Sequence, residues 1–210
     1  MFYSFLRGLV RILLYILNGK PTYLNKENLP EGNYILVGPH RTWFDPVYFA
    51  LAGSPKKFSF MAKQELFENK FYKFVLDHMF AYPVDRINPG PSVIKTPVNY
   101  LKKTDLSTII FPSGTRYSEQ MKGGALVIAK LSGVPLIPAV YQGPMTFKGL
   151  LTRKKTTVAF GKPIMVDKKI KLDDDNQAEY EARLQQSFND LDQQIDPNFH
   201  YVLPVKKESK

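Results

Sequence analysis

The sequence predicts an α/β fold, a largely parallel central sheet flanked by helices, and three observations carry that expectation. Short apolar, β-branched runs alternate with longer stretches of helical periodicity from residue 34 to residue 195, the order that builds parallel sheets through crossover helices. Two of the runs end alike, in a proline stop followed by polar residues, at Pro39 and at Pro112. No internal repeat and no low-complexity linker divides the chain. The expected organisation is therefore one domain, residues 20–210, preceded by an amino-terminal helical segment, residues 1–19. With 210 residues, 44% of them hydrophobic, the chain can bury a full core without disulfides or metal ions.

Residues 2–17 are all Phe, Tyr, Leu, Val or Ile except Ser4, Arg7, Gly8 and Arg11. Ser4, Arg7, Arg11 and Asn18 fall three, four and seven residues apart, on one helical stripe. A transmembrane helix needs about 20 mostly apolar residues, and two arginines interrupt this shorter run. A signal peptide would carry its charge first and end in a small-residue cleavage site, whereas residues 2–6 here precede any charge. A helix of the soluble core would turn the polar stripe to water. The width of the apolar face favours a fourth arrangement. In it an interfacial helix buries that face in the acyl region of a membrane while its arginines snorkel to head groups.

Pro21 ends this helix, and 25–32 is a polar loop. Strands are expected near 34–38, 58–61, 80–84, 107–111, 134–140 and 156–161, and helices near 46–52, 65–78, 91–103, 122–132 and 177–195. The first strand, Tyr34-Ile35-Leu36-Val37-Gly38, is stopped by Pro39. Asp45 before Pro46 has the composition of an ordinary helix start. Ser107-Thr108-Ile109-Ile110-Phe111 is β-branched and apolar, and Pro112 stops it. Val134-Pro135-Leu136-Ile137-Pro138-Ala139-Val140 reads as a buried strand. Asp173, Asp174 and Asp175 precede the last helix, where negative charge suits the helix dipole. Leu184, Phe188, Leu191 and Ile195 form that helix's packing face. His78, beside Phe74 and Val75, reads as a packing histidine, and Trp43 and Phe44 also read as packing residues. The tail from Pro204 reads as frayed.

A net charge of +10 and a pI near 9.6 call for an acidic partner. An anionic membrane surface, a phosphorylated metabolite and an acidic carrier protein all qualify. Nucleic acid does not: the chain carries no RNA-recognition signature, zinc finger or long basic helix. There is no cysteine, which excludes a thiol nucleophile, a thiolate zinc site and a disulfide framework. The three histidines lie far apart with no H-x-x-x-H spacing, so no metal site is expected.

Chemistry concentrates after two strands. His40 is followed five residues later by Asp45, on a loop at a strand's carboxyl end, where open α/β sheets place ligand crevices. A neutral imidazole held by a carboxylate can take a proton from an alcohol near neutral pH, its ordinary pKa being roughly 6.5. The same Asp45 also suits a plain helix start. Past the second proline stop come Ser113, Gly114, Thr115 and Arg116. Gly114 lets backbone approach a ligand, Thr115 offers a hydroxyl, and Arg116 presents a planar fork matching phosphate oxygens. The run Phe80-Ala81-Tyr82-Pro83-Val84-Asp85-Arg86 ends in a further basic residue, which a local ion pair with Asp85 would also explain.

Taken in order, these segments resemble the four blocks of the glycerolipid acyltransferase superfamily, in particular its PlsC-type 1-acyl-sn-glycerol-3-phosphate acyltransferases. The H-x-x-x-x-D block is His40 to Asp45, and a G-x-x-x-V-D-R-like block is Phe80 to Arg86. The F-P-E-G-T-R-S block appears as Phe111 to Ser118, and the V-P-x-x-P block as Val134 to Pro138. The resemblance covers roughly residues 34 to 165 and includes Ala62-Lys63-Gln64-Glu65-Leu66.

The resemblance implies that His40, oriented by Asp45, deprotonates the sn-2 hydroxyl of a lysophosphatidic acid. The hydroxyl oxygen then attacks an acyl thioester, and phosphatidic acid forms without an acyl-enzyme intermediate. It implies further that Arg116 holds the acceptor phosphate with Lys63 and Arg86 assisting, and that Ser113, Gly114 and Thr115 shape the acceptor loop. No cofactor is implied. The acyl donor implied, acyl-CoA or acyl-acyl carrier protein, is a co-substrate, and the expected location is that of a peripheral, monotopic protein on the cytoplasmic face of the cell membrane. One position departs from the pattern: Ser113 stands where the family has Glu, which leaves the site more positive and favours a doubly ionised phosphate.

Other functions remain in view. The acceptor could be another lysophospholipid. A serine hydrolase would use Ser113 or Ser118, yet no G-x-S-x-G elbow surrounds either. A non-catalytic module docking on anionic lipid would need Arg7, Arg11 and the basic surface but not the His40–Asp45 pair.

Overall fold

A run that is apolar at every position, such as Tyr34-Ile35-Leu36-Val37, must be covered on both faces. In the computed structural model, which describes residues 2–85 and 88–204, the odd and even members of this run enter two different cores. Tyr34 and Leu36 join Tyr48, Phe49, Phe58, Tyr141 and Phe160 on one side. Ile35 and Val37 join Leu101, Leu126, Ile128, Leu184 and Phe188 on the other. This is the two-residue period of a strand read out as a three-layer sandwich.

The elements in chain order are α1 (Phe2–Asn18), β1 (Thr22–Leu24), β2 (Ile35–Val37), α2 (Asp45–Ala52), β3 (Lys57–Lys63), α3 (Lys70–His78) and β4 (Ala81–Val84). Then come α4 (Ser92–Lys103), β5 (Leu106–Ile110), α5 (Gly124–Ser132), β6 (Leu136–Gln142), α6 (Phe147–Leu151), β7 (Thr157–Phe160) and α7 (Asp174–Ile195). The seven strands form one sheet in the order β1-β7-β6-β2-β5-β3-β4. β2 runs parallel to both its neighbours, β5 and β6, and β6–β7 is the antiparallel pairing. The α/β class and the largely parallel sheet read from the sequence are what the chain adopts.

Three local departures have physical reasons. The expected helix over 65–78 is a short 3₁₀ turn, Gln64–Phe67, followed by α3. Asn69 divides them, its side-chain oxygen accepting from the Phe71 and Tyr72 amides as an N-cap. The strand β1 was not expected after Pro21; it is three residues long and gains its order from pairing with β7. The antiparallel β7 follows from a connection, residues 143–156, that contains only the short α6 and makes no crossover back to the sheet's other end.

The helix α1 inverts the pattern of a core helix. Two members of its polar stripe, Arg7 and Asn18, turn inward while Ser4 stays exposed: Arg7 donates to the carbonyls of Lys56 (2.6 Å) and Pro55 (3.2 Å). Asn18 donates to Thr156 Oγ1 (2.6 Å) and to the Lys154 carbonyl. The residues left outward are Phe5, Leu9, Ile12, Leu13 and Ile16, with Phe5 at 69% exposure. The arrangement in which both arginines reach for head groups is thereby corrected for Arg7, whose guanidinium is spent on backbone carbonyls of the α2–β3 connection. Among the described residues no helix is long and apolar enough to cross a membrane.

Gly38, between β2 and His40, has no room for a side chain. A Cβ there would lie 2.5 Å from the Ala139 carbonyl oxygen and 2.6 Å from the Phe49 ring. The carbonyl belongs to a central strand and cannot retreat. Gly38→Ala should therefore cost about 1–3 kcal/mol of stability through overpacking, measured as a lowered denaturant midpoint.

Candidate active site

Because β2 and β5 are parallel neighbours, the loops leaving their carboxyl ends emerge side by side. One carries His40 to Phe44 and the other Phe111 to Ser118. Each loop rests an aromatic ring against a functional side chain of the other. The His40 ring stacks on Phe111 at 4.3 Å between centroids. The Arg116 guanidinium lies over Trp43 at 4.1 Å, a cation–π contact. Trp43 is 67% exposed, so that contact is open to solvent.

Asp45 organises the first loop. It is the first residue of α2, fully buried. A single oxygen, Oδ2, accepts from the Arg41 amide (2.6 Å) and the Thr42 amide (2.7 Å). The same oxygen lies 3.1 Å from His40 Nδ1. A carboxylate accepts, so Nδ1 carries the proton and Nε2 keeps its lone pair in the neutral ring. Asp45 is not the N-cap that the sequence suggested: the cap is Phe44 with no side-chain cap bond, and Asp45 is the first helical residue. Its charge still sits at the amino end of α2, where the dipole favours it, while it fixes the imidazole.

Two cavities flank this loop. A small one, about 40 Å³, is lined by His40, Ser113, Ser118, Glu119, Phe188 and Tyr201 among others. A larger one, about 490 Å³, is lined by Arg116, Tyr117, Met145 and the segment from Phe199 to Val202. Arg41 and Tyr201 line both, so the imidazole and the Arg116 guanidinium open on adjoining spaces. Burial pushes the Tyr201 phenol above its ordinary range, Asp45 adding to the rise and Arg41 opposing it.

The other residues singled out from the sequence are placed as follows. Ser113 is buried and its hydroxyl donates to the Thr115 carbonyl (2.7 Å), tightening the loop. Gly114 has φ +65°, the left-handed region that glycine enters without strain. Thr115 Oγ1 accepts from the Tyr117 amide. Ser118 Oγ accepts from the Gln120 amide. Lys63 ends β3 and lines neither cavity; it pairs with Glu65 at 2.7 Å, and that hydrogen bond holds the Glu65 carboxyl below its usual range. Arg86 and the tail beyond Pro204 lie outside the described residues. His78 packs against Phe2 and Phe74.

The sequence reading passed over Arg41, Gln142, Asp192 and Tyr201. Arg41 forms a two-pronged ion pair with Asp192 of α7, and Gln142 of β6 donates to the same carboxylate (2.9 Å). A signal was present in the sequence. Asp192 lies four residues after Phe188 and next to Leu191, on the apolar face of α7, where a charge needs a partner.

Residues 20–142 match a family model described as Acyltransferase. The chain is 48% identical over 196 residues to a 1-acyl-sn-glycerol-3-phosphate acyltransferase of Streptococcus pneumoniae (strain ATCC BAA-255 / R6), covering 92% of this chain and 74% of that protein. It is 41% identical over 165 residues to the enzyme of the same name from Bacillus subtilis (strain 168), covering 77% and 82% respectively. The fold is similar to the crystal structure of the 1-acyl-sn-glycerophosphate (LPA) acyltransferase PlsC from Thermotoga maritima, with TM-score 0.62, 18% identity and 90% of this chain covered, 81% of that one.

Removing the Asp45 carboxylate would strand two loop amides as well as the imidazole. Asp45→Ala is expected to lower stability by about 2–5 kcal/mol, since hydrogen bonds to a charged acceptor are worth roughly 1.5–3 kcal/mol each. Chemical denaturation of the purified variant checks this.

Proposed function

Because the chain belongs to the acyltransferase family, we propose that it transfers a fatty acyl group from an acyl thioester to the sn-2 hydroxyl of 1-acyl-sn-glycerol-3-phosphate. The product is phosphatidic acid for phospholipid synthesis. The observation that carries the mechanism is the tautomer imposed on His40: with Nδ1 committed to Asp45, Nε2 is the atom left to act as base beside a cavity.

In this mechanism Nε2 takes the hydroxyl proton as the oxygen attacks the thioester carbonyl. The tetrahedral intermediate collapses by breaking the C–S bond, and the imidazolium returns its proton to the departing thiolate. General base assistance of this kind contributes about 10²–10⁴ in rate. The remainder comes from holding both substrates against the loop. Arg116, at the larger cavity, is the proposed phosphate ligand. Lys63 is left out of that set, being paired with Glu65 and lining neither cavity. Ser113, Gly114 and Thr115 keep the Arg116 loop in shape. The reaction uses no cofactor, and the donor is an acyl thioester of coenzyme A or of acyl carrier protein, both acidic partners for a protein of charge +10.

The outward apolar strip of α1 supports peripheral membrane association through the residues 1–19 segment, with the catalytic domain of residues 20–210 resting on the cytoplasmic face. The exposed side chains of Phe5, Ile12 and Ile16 are of the kind that enters the acyl boundary of a bilayer. A single charge there opposes burial.

Purified protein mixed with lysophosphatidate and acyl thioesters should form phosphatidate, and His40→Ala should lower kcat by about 10²–10⁴. Parental turnover in that variant refutes the assignment. Arg116→Ala should raise the acceptor KM about tenfold or more, in line with loss of a charge-assisted contact. Ile12→Glu should weaken sedimentation with anionic vesicles while leaving turnover of a water-soluble short-chain acceptor intact.

A further inference from the structure

Arg41 is held at three points, each by a different part of the fold. Its amide donates to Asp45 Oδ2 at 2.6 Å. Its carbonyl accepts from the Tyr201 hydroxyl at 3.3 Å. Its guanidinium grips Asp192 with both prongs, one of them at 2.8 Å, and lies between the rings of Phe199 (5.1 Å) and Tyr201 (5.3 Å). Asp192 is itself fixed, since Gln142 from β6 donates to its carboxylate and its carbonyl, both at 2.9 Å. The two charged side chains retain only 9% and 11% exposure. A desolvated, two-pronged pair of this kind is geometrically specific, and loss of one partner leaves the other charge uncompensated.

His40 precedes Arg41 in the chain and shares with it the same carboxylate oxygen. We propose that Asp192 is a positioning residue for the acyl-transfer site: through Arg41 it sets the loop on which His40 rides. Arg41 on this account serves the dyad and is not a second phosphate ligand, although it lines the larger cavity. The inference rests on the reading of His40 as the base, and it assigns a task to α7, which lies beyond the family-matched residues 20–142.

With Asp192 neutral, the Arg41 guanidinium loses its two-pronged anchor, and the loop that carries His40 loses one of the three holds on Arg41.

The test compares the imidazole NMR resonances of the three histidines in the parent and in Asp192→Asn, with His40 identified by its loss in His40→Ala. Steady-state kinetics with lysophosphatidate and an acyl thioester run alongside. The expected result is displaced His40 ring resonances with those of His78 unmoved, and kcat reduced about 10–100-fold, the scale of a slightly misplaced group, at near-parental acceptor KM. Unmoved His40 resonances in a folded variant overturn the proposal, as does a loss expressed in acceptor KM alone. Should Asp192→Asn not fold, Asp192→Glu decides: a longer carboxylate keeps the charge but shifts the guanidinium, so kcat should fall, and parental kcat overturns the idea. A parent that transfers no acyl group sinks the functional reading while the resonances still judge the coupling.

Discussion

One carboxylate oxygen holds the centre of this molecule together. Asp45 Oδ2 receives two backbone amides and one imidazole, in a position from which solvent is excluded. A buried carboxylate is costly unless it is hydrogen-bonded, and the loop from Gly38 to Phe44 supplies donors to Oδ2, while the buried Oδ1 has no partner among the described residues. The charge therefore shapes the backbone, and the backbone shape in turn presents the ring. Gly38 permits this shape because no side chain intrudes between the Ala139 carbonyl and the Phe49 ring.

Around that centre the site is built by exchange between neighbouring loops. Phe111 backs His40, Trp43 backs Arg116, and Thr42 donates to the Met145 carbonyl (3.2 Å). These contacts arise because β2, β5 and β6 are adjacent and parallel, so three connections leave the sheet at one edge. Sheet order, more than any single interaction, decides which side chains meet.

Much of this was legible in the chain itself. The strands of the central sheet announce themselves by apolar runs stopped at Pro39 and Pro112, and the pairing of His40 with Asp45 follows from their spacing. Periodicity, however, identifies a stripe without saying which way it faces. The polar line of α1 was recognised, yet Arg7 and Asn18 point into the protein because the carbonyls of Pro55, Lys56 and Lys154 await them, and those are tertiary facts. The short β1 exists only through its partner β7. Lys63 matched by position in a resemblance but pairs locally with Glu65, because an exposed lysine at a strand end takes the nearest carboxylate. Asp192 is masked by its helix: Leu184, Phe188 and Leu191 mark α7 as a packing face, and periodicity alone does not say what the acid on that face pairs with.

The chain order of these parts has its own consequence. Asp192 and Tyr201 follow every strand of the sheet in sequence, and Arg41 lies near the start of the domain. During synthesis the His40 imidazole and the Asp45 carboxylate leave the ribosome long before Asp192 and Tyr201. At about 5–20 residues per second, the roughly 150 residues from Asp45 to Asp192 take on the order of 7–30 s to emerge. The loop is thus made well before the helix with which Arg41 pairs.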